Sequence, residues 1–383
     1  MTDSNKASDK GMIYIHVPFC VSRCIYCDFY STTQTDEWKD QYVRAVCQEL
    51  VTRADEIPSH AISSIYFGGG TPSRLRVDQI NAILEQIHEQ YIVDTDAEIT
   101  LEANPDDITS ALVRDLRSIG INRVSLGVQS FDDQVLRMLN RRHDALGAIH
   151  AVETLAKEGL DNVSIDLIYG LPRQTEQMFS ADLDKAFSLP IRHLSSYALS
   201  VEPGTAISRM LQRGDFALPT EETSVNEYER LMKMAQLSGF EHYEISNFAL
   251  PGYHSRHNSG YWNCTPYIGV GPGAHSFHGN LRRYNLPDLA HYVKSAGQPS
   301  HEMESLSIDE QYDELVFTSL RTQRGLSVGR VLSKFGKERY DYLMKSATPH
   351  LHSGRLILAD GYLRIAKESI MISDDIMSDL MMG

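Results

Sequence analysis

From residue 12 to about residue 198, short apolar runs of strand length alternate with longer stretches in which apolar positions recur every three or four residues. The runs 12–17, 64–67, 99–102, 123–128, 163–168 and 193–198 predict strands, and 37–53, 77–91, 110–119, 132–139, 145–158 and 176–187 predict helices. The fourth connection holds two helices, so the pattern gives six β/α units. Parallel strands need a crossover of a dozen or more residues between them, and this alternation supplies one each time. The predicted class is α/β with a parallel sheet.

The polar residues respect strand direction. Val17 leads into a cysteine loop, Phe67 into Gly68-Gly69-Gly70-Thr71-Pro72, and Glu102 closes the third run. Gln129 follows the fourth run, Asp166 falls late in the fifth, and Tyr197 sits in the sixth. In β/α barrels the site is built at the carboxyl ends of the strands, so six strands aim chemistry at one mouth. Taken singly, the same features have plain readings: the glycines a tight turn, Glu102 a loop acid, Asp166 a helix cap, Gln129 and Arg141 surface residues.

The loop after the first strand carries Cys20, Cys24 and Cys27, three of five cysteines. A 4Fe-4S cubane is ordinarily met by four thiolates, and three leave one iron open to a small chelator. The amine and carboxylate of S-adenosylmethionine (SAM) form such a pair. Structural zinc favours paired C-x2-4-C groups, and no second pair follows. A disulfide framework suits small secreted domains, whereas this chain has 383 residues, an odd cysteine count and no apparent leader. Cys47, inside a predicted helix, reads as a small buried hydrophobe. Cys264 reads the same way or as a heme or redox residue.

Composition narrows the partners. With 42% hydrophobic residues the chain can bury a large core, and no apolar run approaches a membrane span. Lys and Arg total 36 against 51 Asp and Glu, a net charge of −15 that argues against nucleic acid. A cytoplasmic protein is expected. Residues 1–10 read as a disordered lead-in, 11–200 as the β/α core, and 201–300 as an extension. Residues 301–383 read as a small, mainly helical winged-helix-like domain, with helices near 308–321, 327–335 and 338–346 and a hairpin-like end at 356–372. That last segment holds 10 Lys/Arg and 13 Asp/Glu, which suits a lid or a docking module better than a DNA reader.

Several segments in order, Tyr-Ile-His-Val-Pro-Phe-Cys from Tyr14, Gly-Gly-Gly-Thr-Pro, Leu-Glu-Ala-Asn-Pro, Gly-Val-Gln-Ser-Phe and Ile-Asp-Leu-Ile-Tyr-Gly-Leu-Pro, resemble the radical SAM superfamily. The likeness is to the branch related to oxygen-independent coproporphyrinogen III oxidase and runs nearly to the C-terminus. It implies a partial (β/α)6 radical SAM barrel, with Cys20, Cys24 and Cys27 holding the cluster and Tyr14, Gly69 and Glu102 contacting SAM. A second SAM site in the oxidase would map to Tyr26, Gly70, Thr71, Gln129, Arg141 and Asp166.

One departure points within the branch. The oxidase has a further cysteine two residues beyond the third ligand, where this chain has Asp28-Phe29, and only thirteen residues precede Tyr14. Both features resemble the heme chaperones of the branch. His257-Asn258-Ser259-Gly260-Tyr261-Trp262 has the His-Asn-x-x-Tyr-Trp form associated with them, which implies His257 as a heme ligand. By its residues alone the motif reads rather as core packing by Tyr261 and Trp262 around a hydrogen-bonded structural histidine. The glycine loop 267–276 is expected to line the same cavity. The resemblance implies a protein that takes up heme and passes it to apo heme proteins such as respiratory enzymes, and it allows peripheral membrane association and a homodimer. The alternative is an enzyme, either coproporphyrinogen III dehydrogenase or a methyltransferase.

Overall fold

The computed structural model describes residues 10–33, 36–57 and 59–383, so all of the expected lead-in but Lys10 lies outside the described residues. Strands β1 (Gly11–Val17), β2 (Ala61–Gly69), β3 (Ile92–Ala103), β4 (Arg123–Gln129), β5 (Val163–Tyr169) and β6 (His193–Ala198) pair in parallel in sequence order. Their crossovers carry α1 (Lys39–Thr52), α2 (Val77–Gln90), α3 (Ser110–Ser118), α4 (Asp133–Met138), α5 (Ala145–Lys157) and α6 (Glu176–Ser188). The expected elements form within a few residues of their forecast bounds. β3 exceeds its forecast most, beginning at Ile92 in an exposed first half that carries no apolar run.

Alternation with period two sorts the side chains. Ile13, Ile15, Ile65, Leu101, Val124, Leu126, Ile165 and Leu194 join the main core beneath the helices. The intervening positions, among them Tyr14, Ser64, Tyr66, Glu98, Glu102, Arg123, Ser125, Asp166 and Ser195, face the other way, where Tyr66 meets Glu102 and Ser125 meets Asp166 across the strands. Closed eight-stranded barrels fill this space with branched apolar side chains, whereas this partial barrel fills it with polar groups.

The extension joins the same sheet. After α7 (Ala206–Gln212) and α8 (Glu221–Leu237), the hairpin of β7 (Glu241–Glu244) and β8 (Asn247–Ala249) joins the sheet, with β8 antiparallel to β6 and β7 antiparallel to β8 at the edge. Helix α9 (Arg256–Trp262) then leads to β9 (Tyr267–Val270), parallel to the free edge of β1, followed by β10 (His275–His278) and β11 (Leu281–Asn285). Helix α10 (Leu289–Lys294) and β12 (His301–Ser305) complete a twelve-stranded sheet. Glu49 of α1, fully buried, fastens this edge: it accepts from Arg53 (2.8 Å), Asn285 (2.7 Å), Tyr292 (2.6 Å) and the Gly271 amide (3.0 Å).

Residues beyond Leu306 build a core of their own from α11 (Ile308–Leu320), α12 (Val328–His352), the three-stranded sheet β13 (Leu326–Ser327), β14 (Leu356–Ala359) and β15 (Tyr362–Ile365), and α13 (Ser373–Leu380). The two helices expected at 327–335 and 338–346 both form within α12, separated at Gly336, where the backbone leaves the helical region at φ +82°. The closing helix α13 follows the hairpin and was not anticipated; its Ile376, Met377 and Leu380 bury into this core.

Candidate active site

The three cysteines sit on a loop tied down at several points. The Cys20 amide donates to the Thr32 carbonyl (2.9 Å), Ile25 to Leu139 (3.3 Å), and the Asn140 side chain to the Arg23 carbonyl (2.8 Å). Ile25 and Tyr26 pack against Val135, Leu139, Ile168 and Leu171, which turns all three thiols into one mouth. Burial raises the Cys20 thiol above its ordinary pKa and pushes that of Cys27 up to about 11. Without a cation these groups hold their protons near neutrality, and metal binding would displace them. Phe29, at the position of the oxidase's further cysteine, is 61% exposed.

Below the loop lies a cavity of about 450 Å³, within the range of small-molecule sites. Cys20, Cys24, Cys27, Tyr26, Gly69, Gly70, Thr71, Glu102, Gln129, Arg141 and Asp166 all line it, so eleven of the twelve expected cluster and SAM residues converge here. Thr71 Oγ1 lies 3.5 Å from Cys20 Sγ, and Asn104 Nδ2 donates to the same hydroxyl at 3.3 Å. Arg141 donates through Nη1 to Cys24 Sγ (3.1 Å) and through Nη2 to Asn104 Oδ1 (2.6 Å) and the Gly127 carbonyl. A register shift between Gly127 and Gln129, with Gln129 at φ +73°, re-aims the amide at the strand end.

Glu102 accepts from the Tyr66 hydroxyl at 2.7 Å and the Gly69 amide at 3.1 Å. Gly69 sits at φ +106°, and a Cβ there would lie 2.7 Å from the His16 ring, so only glycine brings this amide to the carboxylate. Burial raises Glu102 to about 7 despite these bonds, and raises Asp166, which accepts from Ser125 Oγ at 3.2 Å, to about 6. Two acids with raised pKa values beside two guanidinium groups suit a ligand carrying an ammonium, hydroxyls and a carboxylate.

Arg123 escaped sequence reasoning. It is 1% exposed, lines the cavity, and its side chain forms no hydrogen bond or ion pair with a described residue; its Nε is buried without a partner. The available signal was its place two and four residues before Ser125 and Gly127 on one strand face, which puts a cation in the lumen.

Two expected site residues stand elsewhere. Tyr14 lies behind Tyr66, ring centroids 6.1 Å apart, with its hydroxyl 3.1 Å from His16 Nδ1, and it does not line the cavity. His257 is 1% exposed, with Nδ1 2.9 Å from Ser64 Oγ and Nε2 2.9 Å from the Tyr261 hydroxyl. Burial holds it neutral, its pKa driven down to about 3. Both ring nitrogens are engaged, so in this geometry neither reaches an iron, and the heme-ligand expectation gives way to a structural one. Glu98 accepts from the amides of Arg256 and His257 (3.0 Å each), and Gly260 lets α9 press on Met12, whose sulfur would lie 2.1 Å from an added Cβ. The motif therefore packs α9 against the starts of the barrel strands. The glycine loop 267–276 likewise does not line the cavity; it forms β9 and the turn to β10.

Comparison with known proteins decides the family. Residues 14–186 match the radical SAM superfamily. The chain is 37% identical over 323 residues to the heme chaperone HemW of Lactococcus lactis subsp. lactis, covering 84% of each chain. It is 35% identical over 328 residues to HemW of Bacillus subtilis, covering 85% of this chain and 86% of that one. The chain belongs to the HemW family of radical SAM proteins. The structure of coproporphyrinogen III oxidase (HemN) from Escherichia coli superposes with a TM-score of 0.83 at 23% identity, covering 98% of this chain and 91% of that one, which establishes the shared fold.

Radical SAM membership implies a 4Fe-4S cluster and SAM, and the donor set fits both: three thiols at one mouth above a cavity with raised acids and a buried cation that pairs with no described residue. Among the described residues no three His, Cys, Asp or Glu side chains converge closely enough for a single ion. Cluster thiolates bind different irons and so stand farther apart than the ligands of one metal. No described helix is long and apolar enough to cross a membrane.

Proposed function

We propose that this chain is a heme chaperone: it binds a 4Fe-4S cluster, SAM and heme, and delivers the heme to apo heme proteins, respiratory enzymes among them. The observation that carries the reading is identity of 34–38% to HemW heme chaperones over most of the chain, joined to an exposed Phe29 where the oxidase has its further cysteine.

In this reading Cys20, Cys24 and Cys27 hold three irons. The open fourth iron, when the cluster is bound, supplies a Lewis-acidic position for the amine and carboxylate of SAM. Gly69 and Gly70 bring backbone within reach of the ligand's methionine end. Glu102 and Asp166 accept from its ammonium or ribose hydroxyls, gaining charge-assisted hydrogen bonds as they ionise. Thr71 and Arg141 each touch a ligand cysteine and so orient the loop, while Tyr26 and Gln129 wall the cavity. His257 receives no heme contact.

The test uses anaerobically reconstituted protein, with an iron count, a heme titration and incubation with coproporphyrinogen III, SAM and a reductant on one preparation. Heme uptake without protoporphyrinogen formation is expected. Turnover to protoporphyrinogen would replace the chaperone reading with the enzyme.

A further inference from the structure

With the mouth committed to cluster and SAM and His257 walled in, heme needs another seat. A second cavity, of about 560 Å³, opens where the turn after α9, strand β10 and helices α11 and α12 meet. Pro266, Phe277, Leu306 and Leu315 give it apolar walls. Arg330 and Lys334, four residues apart on α12, also face it, and neither forms an ion pair with a described residue. The acid on the wall, Glu314, is already taken by Arg282. In a chain of net charge −15, two uncompensated cations beside an apolar cavity mark a place for an anionic amphiphile.

The cavity also holds donors for iron. Cys264 lies on the turn after α9 at φ +56°, half-buried, its sulfur engaged by a single long hydrogen bond, 3.5 Å, with the Thr318 hydroxyl. Lys334 stands near this sulfur, and burial lowers its own pKa. His278 adds an exposed imidazole at the rim. A cavity of similar size between α8 and the C-terminal hairpin contains His242, but there Nε2 is spent on the Ile245 carbonyl and the Tyr228 hydroxyl, each at 3.2 Å.

We propose that the cavity at Cys264 is the heme seat: the macrocycle lies against Phe277, Leu306 and Leu315, Cys264 ligates the iron, and Arg330 and Lys334 take the propionates. Ligation replaces the thiol proton, which leaves to water, by the ferric ion. Thiolate is a known heme ligand type, and guanidinium and ammonium groups pair readily with carboxylates. The site rests on the heme-carrying reading above.

The experiment titrates full-length, cluster-loaded protein with ferric heme and follows the Soret band in wild type, Cys264→Ser, His278→Ala and the double variant Arg330→Glu/Lys334→Glu. SAM binding on the same samples reports folding, because these positions lie outside the SAM cavity. Cys264→Ser is expected to shift the Soret maximum away from the thiolate-ligated position, and the charge-reversal variant to weaken heme binding about tenfold or more. Both should retain SAM. Wild-type titrations in both variants would overturn the site, as would a Soret shift in His278→Ala with none in Cys264→Ser. Should Cys264→Ser lose SAM as well, the charge-reversal variant decides alone. If wild type itself takes up no heme, the heme-carrying reading fails; if wild type binds and the variants bind equally, only this site fails.

Discussion

Replacing Glu102 by glutamine is expected to move stability and SAM affinity in opposite directions. The carboxyl titrates near 4.5 in an unfolded chain and at about 7 in the fold, raised by burial. Between those values the folded chain holds a proton the unfolded chain has lost. The group's contribution is therefore fully present below about pH 4.5 and is lost as pH rises through 7, a penalty of at most about 3 kcal/mol at pH 8. Water in the open cavity reduces that to about 1–2 kcal/mol. Glutamine removes the ionisation but offers one acceptor oxygen, so either the Tyr66 hydroxyl or the Gly69 amide loses its partner, at about 1 kcal/mol. The variant should thus melt no lower than wild type at pH 8 and lower than wild type at pH 4.5. Loss of a charged acceptor for the ligand should cost about 1.5–3 kcal/mol of binding, roughly 10- to 150-fold in the SAM dissociation constant. Thermal midpoints of the apo chain across pH, beside SAM isotherms of cluster-loaded protein, measure both arms. A variant that melts well below wild type at pH 8, or that binds SAM as wild type does, would refute the reasoning.

Gly69→Ala should destabilise the chain by about 1–3 kcal/mol, because its Cβ meets the His16 ring at a positive φ. Thermal midpoints should show part of that loss recovered in the double variant with His16→Ala, and strict additivity would count against the clash. His257→Ala should cost about 2–4 kcal/mol by stranding Ser64 and Tyr261, while heme titration of the folded variant stays unchanged. The depressed pKa values of His257 (about 3), His143 (about 4) and His242 (about 4) lie below the ordinary 6.5, so their contribution is whole above pH 6.5 and is lost as pH falls below it. Replacing His257 by glutamine should flatten the acid side of a midpoint-against-pH curve. Cys24→Ser should lower the iron content and the visible absorption after anaerobic reconstitution while far-UV dichroism is retained; a full complement of iron would remove Cys24 from the ligand set.

Much of this protein was legible in one dimension. Strand and helix bounds came within a few residues because each crossover helix shows its own apolar stripe and each parallel strand is a compact apolar run. Cys20, Cys24 and Cys27 could be read because one short loop carries all three, and spacing within a loop is a local property. Glu102, Gln129, Arg141 and Asp166 gather at the cavity because strand order fixes which ends share a mouth. The C-terminal helix α13 was missed since only contact with a separate core makes it helical.

What the chain order could not supply was the environment of residues whose neighbours are remote. Arg123 looked like an ordinary strand-start cation until six strands closed around it. His257 carried the motif of a metal ligand, yet its partner Ser64 lies 193 residues away, and pairing of β9 with β1 brings α9 under the barrel. Spacing along the chain sets which groups a loop can offer together. Burial and hydrogen-bond satisfaction are properties of the assembled fold, and they determine which of those groups remain open to a ligand.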